Sequence, residues 1–121
     1  MKILLVDDSA AVRRLLVSML VDFADEIYEA GDGAEAFELY VVHLPDWVLM
    51  DVFMKKTDGL TAIEMIKNFH PQARIVVVTN HTDKRIREAA FEAGADEFFG
   101  KDDLLALVSF LKTKGMNRAK S

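Results

Sequence analysis

Five positions carry most of the chemistry this sequence has to offer. Asp7 and Asp8 follow the apolar run ILLV, Asp51 follows WVLM, Thr79 follows IVVV, and Lys101 stands just beyond a Phe-Phe pair. The strands of a parallel sheet put their carboxyl ends on one edge, where open α/β sheets keep their ligand sites, so residues far apart in sequence meet there. Three carboxylates, a hydroxyl and an ammonium together describe a site for a divalent cation and a phosphoryl group.

Magnesium prefers oxygen ligands and keeps several waters, so one or two carboxylates plus a phosphate oxygen suit it. Asp8 and Asp51 are the expected direct ligands, with Asp7 acting through a water; Mn2+ is the expected substitute ion. Asp51 follows a run too apolar to be exposed, and a carboxylate in such a place needs a cation or a proton. As a carboxylate it is also able to attack phosphorus and form an aspartyl phosphate. Phosphoryl transfer asks a site for positioning and for groups that meet the equatorial oxygens, roles that fit Lys101 and Thr79. Taken singly, each residue has a plainer reading. Asp7 and Asp8 would cap a helix, Lys101 would be a surface lysine, and Thr79 a β-former ending a strand.

To bring these residues together the chain must alternate strands and helices, and its hydrophobic periodicity does so. Strands are expected at Lys2 to Val6, Glu26 to Ala30, Trp47 to Met50, Arg74 to Val78 and Glu97 to Phe99. The first, third and fourth are almost wholly apolar, as strands buried on both faces should be. Between them run helical stripes: Val12, Leu15, Leu16, Met19 and Leu20; Phe37, Tyr40 and Val41; Leu60, Ile63, Ile66 and Phe69; Ile86, Ala89, Ala90 and Ala93; and Leu104, Leu107, Val108 and Leu111. All of them are expected to be core. Asp83 is the expected N-cap of the fourth helix and Gly94 its stop. The expected fold is α/β, a five-stranded parallel sheet of order 2-1-3-4-5 with helices on both faces, flavodoxin-like and doubly wound.

A chain of 121 residues fits one domain, expected over 1–114, with 115–121 as a short basic tail or the start of a linker. The absence of cysteine excludes disulfides and thiolate metal sites. A net charge of −5 argues against a non-specific nucleic-acid binder, and no direct nucleic-acid binding is expected. No apolar run is long enough for a membrane span or a secretory leader, so no membrane association and a cytoplasmic location are expected.

The order and spacing of Asp7-Asp8, Asp51, Thr79 and Lys101 resemble those of a receiver domain of the two-component response-regulator family, the CheY-like superfamily, over essentially the whole chain. The resemblance implies that Asp51 accepts a phosphoryl group from a sensor histidine kinase or a histidine phosphotransfer protein. It also implies that the backbone carbonyl of Phe53 completes the metal's protein ligands. Thr79 would turn toward the new phosphate with Phe98 following into the space it leaves. The fourth helix, fifth strand and fifth helix would form the output surface, which acts on a downstream effector protein or a fused output domain and offers a route to a homodimer. Such a domain is not an enzyme, catalysing only its own phosphorylation and dephosphorylation.

The chain departs from the family's usual pattern in three respects. Lys55 follows Met54 where the family usually has proline, and Asp102 follows Lys101 where it usually has proline, often with a cis bond. Phe53 and His81 flank the expected path of an attacking water and are expected to tune hydrolysis. Three other readings compete. A haloacid-dehalogenase-type phosphatase would place its nucleophile in a spaced Asp-x-Asp after the first strand. An FMN carrier of flavodoxin type would set its phosphate loop where Asp7 and Asp8 repel phosphate. A receiver-like module that binds partners without phosphate is the third.

Overall fold

The computed structural model describes the backbone of residues 1–120 and the side chains of residues 1–114. Strands and helices alternate as β1 (Lys2–Val6), α1 (Ala10–Leu20), β2 (Glu26–Ala30), α2 (Gly33–His43), β3 (Trp47–Met50), α3 (Gly59–Phe69), β4 (Ile75–Thr79), α4 (Lys84–Ala93), β5 (Glu97–Gly100) and α5 (Leu104–Lys120). The side chains of the expected tail at 115–121 lie outside the described residues. All neighbouring strands pair in parallel, in the order β2-β1-β3-β4-β5. The expected fold is the observed one. β4 begins at Ile75 rather than Arg74 and takes in Thr79, and β5 extends to Gly100.

The apolar strands are explained by what covers them. Side chains alternate across the sheet with a period of two, and both faces are buried. Leu4, Val6, Val48, Met50, Ile75 and Val77 enter one core cluster, beneath α2, α3 and α4. Their neighbours Ile3, Leu5, Trp47, Leu49, Val76 and Val78 enter the other, beneath α1 and α5. The only tryptophan, Trp47, lies in this second cluster, with Phe110 edge-on at 5.4 Å and the Arg74 guanidinium 5.0 Å from its ring.

The helical stripes are narrower than the sequence pattern implies. Leu16, Leu20, Tyr40, Ile63, Ile66, Ala90, Leu107, Val108 and Leu111 are buried, but Leu15, Val41 and Phe69 are exposed. These three stand at the margins of their stripes, where a helix lying on a sheet turns its surface back to solvent. Ser9, Asp32, Asp58 and Asp83 cap the first four helices, each accepting a first-turn backbone N–H with its side chain. Gly94, with φ of 122°, ends α4 as expected.

The connection from β3 to α3 is drawn tight against the sheet. Gly59 N–H donates to Val52 O at 3.1 Å, and Phe53 and Asp58 form an antiparallel bridge. A Cβ on Gly59 would collide with the carbonyl of Asp51 and stand 2.6 Å from Val52 Cα, both of them backbone. Gly59→Ala is therefore expected to cost about 1–3 kcal/mol, the usual price of overpacking, seen as a lower urea midpoint with an unchanged m-value. An equal midpoint would mean that the loop has room to move.

Candidate functional site

The site residues stand where strands stop but their hydrogen bonding does not. Asp7 N–H donates to Ala30 O at 3.1 Å, Asp51 N–H to Val6 O at 2.9 Å and Lys101 N–H to Thr79 O at 2.9 Å. Each bond carries a strand ladder one residue past its strand. The side chains thus rise from backbone as fixed as the sheet itself, at the crevice between β1 and β3 where the strand order reverses.

Lys101 joins the two buried carboxylates. Its Nζ lies 2.8 Å from Asp7 Oδ2 and 3.1 Å from Asp51 Oδ2. The opposite oxygens are also held: Asp7 Oδ1 accepts from Ser9 N–H at 2.9 Å and Asp51 Oδ1 from Phe53 N–H at 3.2 Å. Asp8 is exposed, and its Oδ2 accepts from Lys55 N–H at 3.0 Å. Asp7, Asp8 and Asp51 each offer a carboxylate oxygen, and these atoms lie within 4.8 Å of one another. Three carboxylates against one ammonium leave two negative charges, and each carboxylate has several lone-pair sites. This set of hard oxygen donors fits a divalent cation such as magnesium.

The helix-cap reading of the aspartate pair is replaced by a different residue. Ser9 caps α1, its Oγ accepting from Val12 N–H at 3.2 Å, which leaves Asp7 and Asp8 to the site. A cavity of about 300 Å³ opens here, its wall including Asp8, Asp51, Lys101, Phe53, Asn80 and His81. The Phe53 and His81 rings meet at 4.2 Å with a 47° tilt. Thr79 is fully buried, and its Oγ1 accepts from His81 N–H at 3.1 Å. Phe98 is buried in the core cluster beneath α2, α3 and α4, with Arg87 of α4 5.7 Å from its ring. The structure has no cis peptide among the described residues, so the Lys101–Asp102 bond is trans.

Arg13 belongs to the site's support and was not singled out in the sequence. Its Nη1 donates to Asp7 O at 2.5 Å, while its Nε donates to Glu29 Oε1 at 3.0 Å. The pair ties α1 and β2 to the backbone of Asp7. Nothing in residue type marks Arg13, since a basic residue early in a helix usually faces solvent. Asn80 was also missed, as a polar residue after a strand has no distinguishing pattern.

Comparison with known proteins agrees with this geometry. The sequence profile of the response regulator receiver domain matches residues 3–112. This chain belongs to the response-regulator receiver family. The receiver is 40% identical over 101 residues to the chemotaxis protein CheY of Bacillus subtilis, covering 83% of this chain and 84% of that one. It is 41% identical to the transcriptional regulatory protein PdtaR of Mycobacterium tuberculosis over 83% of this chain but only 49% of that protein. Among solved structures, a two-component response regulator of the LuxR family from Aurantimonas sp. superposes with a TM-score of 0.86 at 31% identity, covering 96% of this receiver and 85% of that chain. The cluster of Asp7, Asp8 and Asp51 is consistent with the phosphoacceptor site of such a receiver. Among the described residues no helix is long and apolar enough to cross a membrane.

Burial pushes the Asp51 carboxyl above the usual carboxylate range; Lys101 and the Phe53 N–H offset this only in part, and the charge of Asp7 adds to it. Burial alone would draw the Lys101 ammonium down, but its bonds to Asp7 and Asp51 outweigh that and hold it above the ordinary lysine value. A carboxyl whose pKa is raised by folding stabilises the fold fully below its unfolded pKa and loses that contribution as pH rises through its folded pKa. In the presence of a chelator at pH 7, Asp51→Asn should thus be more stable than the parent, seen as a higher Tm. The gap should close at about pH 3, where the free carboxyl is itself mostly protonated. Thermal melts at the two pH values provide the check, and a variant less stable at pH 7 would contradict it.

Proposed function

We propose that this receiver takes a phosphoryl group onto Asp51 from a histidine kinase or a histidine phosphotransfer protein and passes the change to a partner. The observation that carries this reading is the Lys101 bridge between Asp7 and Asp51, a cation held where a phosphoryl group on Asp51 would place its oxygens. A free oxygen lone pair of Asp51 attacks phosphorus, the bond from phosphorus to the donor's nitrogen breaks, and its electron pair leaves with that nitrogen. A bound divalent ion, held by Asp8 and Asp51 with the Phe53 carbonyl and a water on Asp7, would supply charge neutralisation for the phosphoryl oxygens.

Lys101 keeps its bond to Asp7 and directs its remaining donors toward the phosphoryl oxygens. Thr79 accepts from His81 N–H, which leaves its own hydroxyl proton available to the phosphate. A hydrogen bond to a charged group is worth about 1.5–3 kcal/mol, enough to bias a two-state element by an amount typical of allosteric coupling. Phe98 of β5, which shares a core cluster with Val77 of β4 and Ala90 of α4, is the group that follows. The output surface is then α4, β5 and α5, and the partner is an effector protein or a fused output domain, with a homodimer through the same face as one use of it. A cytoplasmic setting suits these partners.

Incubation with magnesium and acetyl phosphate, followed by intact mass, is expected to give a single phosphoryl adduct that survives acid and is lost in base. The adduct should be absent without magnesium and absent in Asp51→Asn. An adduct that persists in Asp51→Asn would place the acceptor elsewhere.

The tilted, touching rings of Phe53 and His81 stand on the cavity wall where water would approach the phosphoryl group. Phe53→Ala is expected to raise the rate of spontaneous dephosphorylation by roughly tenfold, the equivalent of about 1.4 kcal/mol. Loss of the adduct over time by the same mass measurement gives that rate, and an unchanged or slower rate would remove the steric role assigned to Phe53.

A further inference from the structure

Lys55 draws attention as an extra cation beside an acidic site, yet it reaches that site through its backbone. Its N–H donates to Asp8 Oδ2 at 3.0 Å across 47 residues of sequence. A proline at this position, the usual residue in the family, has no N–H to give. The loop that presents the amide is held at its base by the Phe53–Asp58 bridge and the Gly59 N–H bond to Val52 O. The exclusion of any side chain at Gly59 presses it against Asp51 and Val52. The donor is therefore fixed to the same backbone that carries Asp51.

We propose that the backbone amide of Lys55 is a positioning group for the divalent cation, fixing the exposed Asp8 carboxylate beside the buried Asp7 and Asp51. The proposal rests on the metal-dependent reading above. Asp7 and Asp51 are buried and bonded on both oxygens by Ser9, Phe53 and Lys101. Asp8 is the exposed member of the cluster, and an exposed carboxylate free to change rotamer must be ordered when an ion binds. The amide removes that cost in advance. A neutral N–H brings no positive charge to compete with the cation, and one bond on Oδ2 leaves other lone pairs of Asp8 for the metal. Hydrogen bonds of this kind to a metal's ligands are commonly worth 10–100-fold in metal affinity.

The test compares Lys55→Pro with Lys55→Ala, two variants equal in charge that differ in the amide. Mn2+ is titrated into each protein and into the parent, with the free ion followed by its EPR signal. Lys55→Ala is expected to bind Mn2+ at least as tightly as the parent, and Lys55→Pro about tenfold more weakly than Lys55→Ala. Equal affinities in the two variants would overturn the proposal. A parent with no saturable Mn2+ binding would instead overturn the metal-dependent reading on which it rests.

Should Lys55→Pro fail to fold, amide hydrogen exchange in the metal-free parent decides the matter. The Lys55 N–H is expected to exchange at least several-fold more slowly than in the Asp8→Ala variant. Identical rates would mean that the bond to Asp8 does not hold in solution, and the proposal would fall.

Discussion

The site depends on one cation placed between two buried carboxylates. The sheet drives Asp7 and Asp51 to the same edge because both continue buried strands, and like charges brought that close would oppose the fold if nothing stood between them. Lys101 arrives from the far side of the sheet, after β5, and accepts the constraint by bonding to both. The pairing therefore ties the two central strands to an edge strand through side chains as well as through backbone. It also leaves the site short of positive charge, which is the electrostatic condition for attracting a further cation. Removing the shared cation would leave two buried carboxylates facing each other with no cation between them, so this arrangement is least tolerant of change at Lys101.

Fixing of the other groups follows from that arrangement. The ladder bonds at Asp7, Asp51 and Lys101 make the site a continuation of the sheet rather than a set of loops. Arg13 and Ser9 hold the Asp7 end, the Gly59 contact holds the Asp51 end, and the short loop between β3 and α3 spans the gap to Asp8. Catalytic groups carried on rigid elements keep their geometry without paying for order at the moment of reaction. Thr79 and Phe98 lie beside this frame, buried in β4 and β5 next to α4.

Much of the fold was legible because burial on both faces leaves an unmistakable mark in sequence. ILLV, WVLM and IVVV are too uniformly apolar for a surface strand, and each stops at a residue that prefers charge or a hydroxyl. The same logic brought Asp51, Asp7, Asp8 and Lys101 to one edge. Helix margins were harder to read, since Leu15, Val41 and Phe69 fit the helical period and yet face solvent; periodicity gives the direction of a stripe but not its width. The cap at Ser9 was not singled out, because the two aspartates before it are of equally good cap type. What no residue type discloses is a contact made by backbone. Lys55 reads as a cation, whereas its amide is the group that reaches Asp8, and Arg13 matters through a carbonyl. The trans Lys101–Asp102 bond is the ordinary geometry once proline is absent, since a non-proline cis bond costs about 2.5–4 kcal/mol.

Trp47 opens β3 and Asp51 directly follows its last residue, which puts them about 13 Å apart at the rise of an extended strand. The indole is enclosed by Phe110 and Arg74 at the amino-terminal edge of the sheet, well removed from the acidic cavity. Its emission is in consequence a gauge of how α5 seats on the sheet, silent toward events that stay within the pocket. A change in that emission when the acidic end is filled would have to be carried along β3. The protein thus contains its own optical separation between local occupancy and long-range rearrangement.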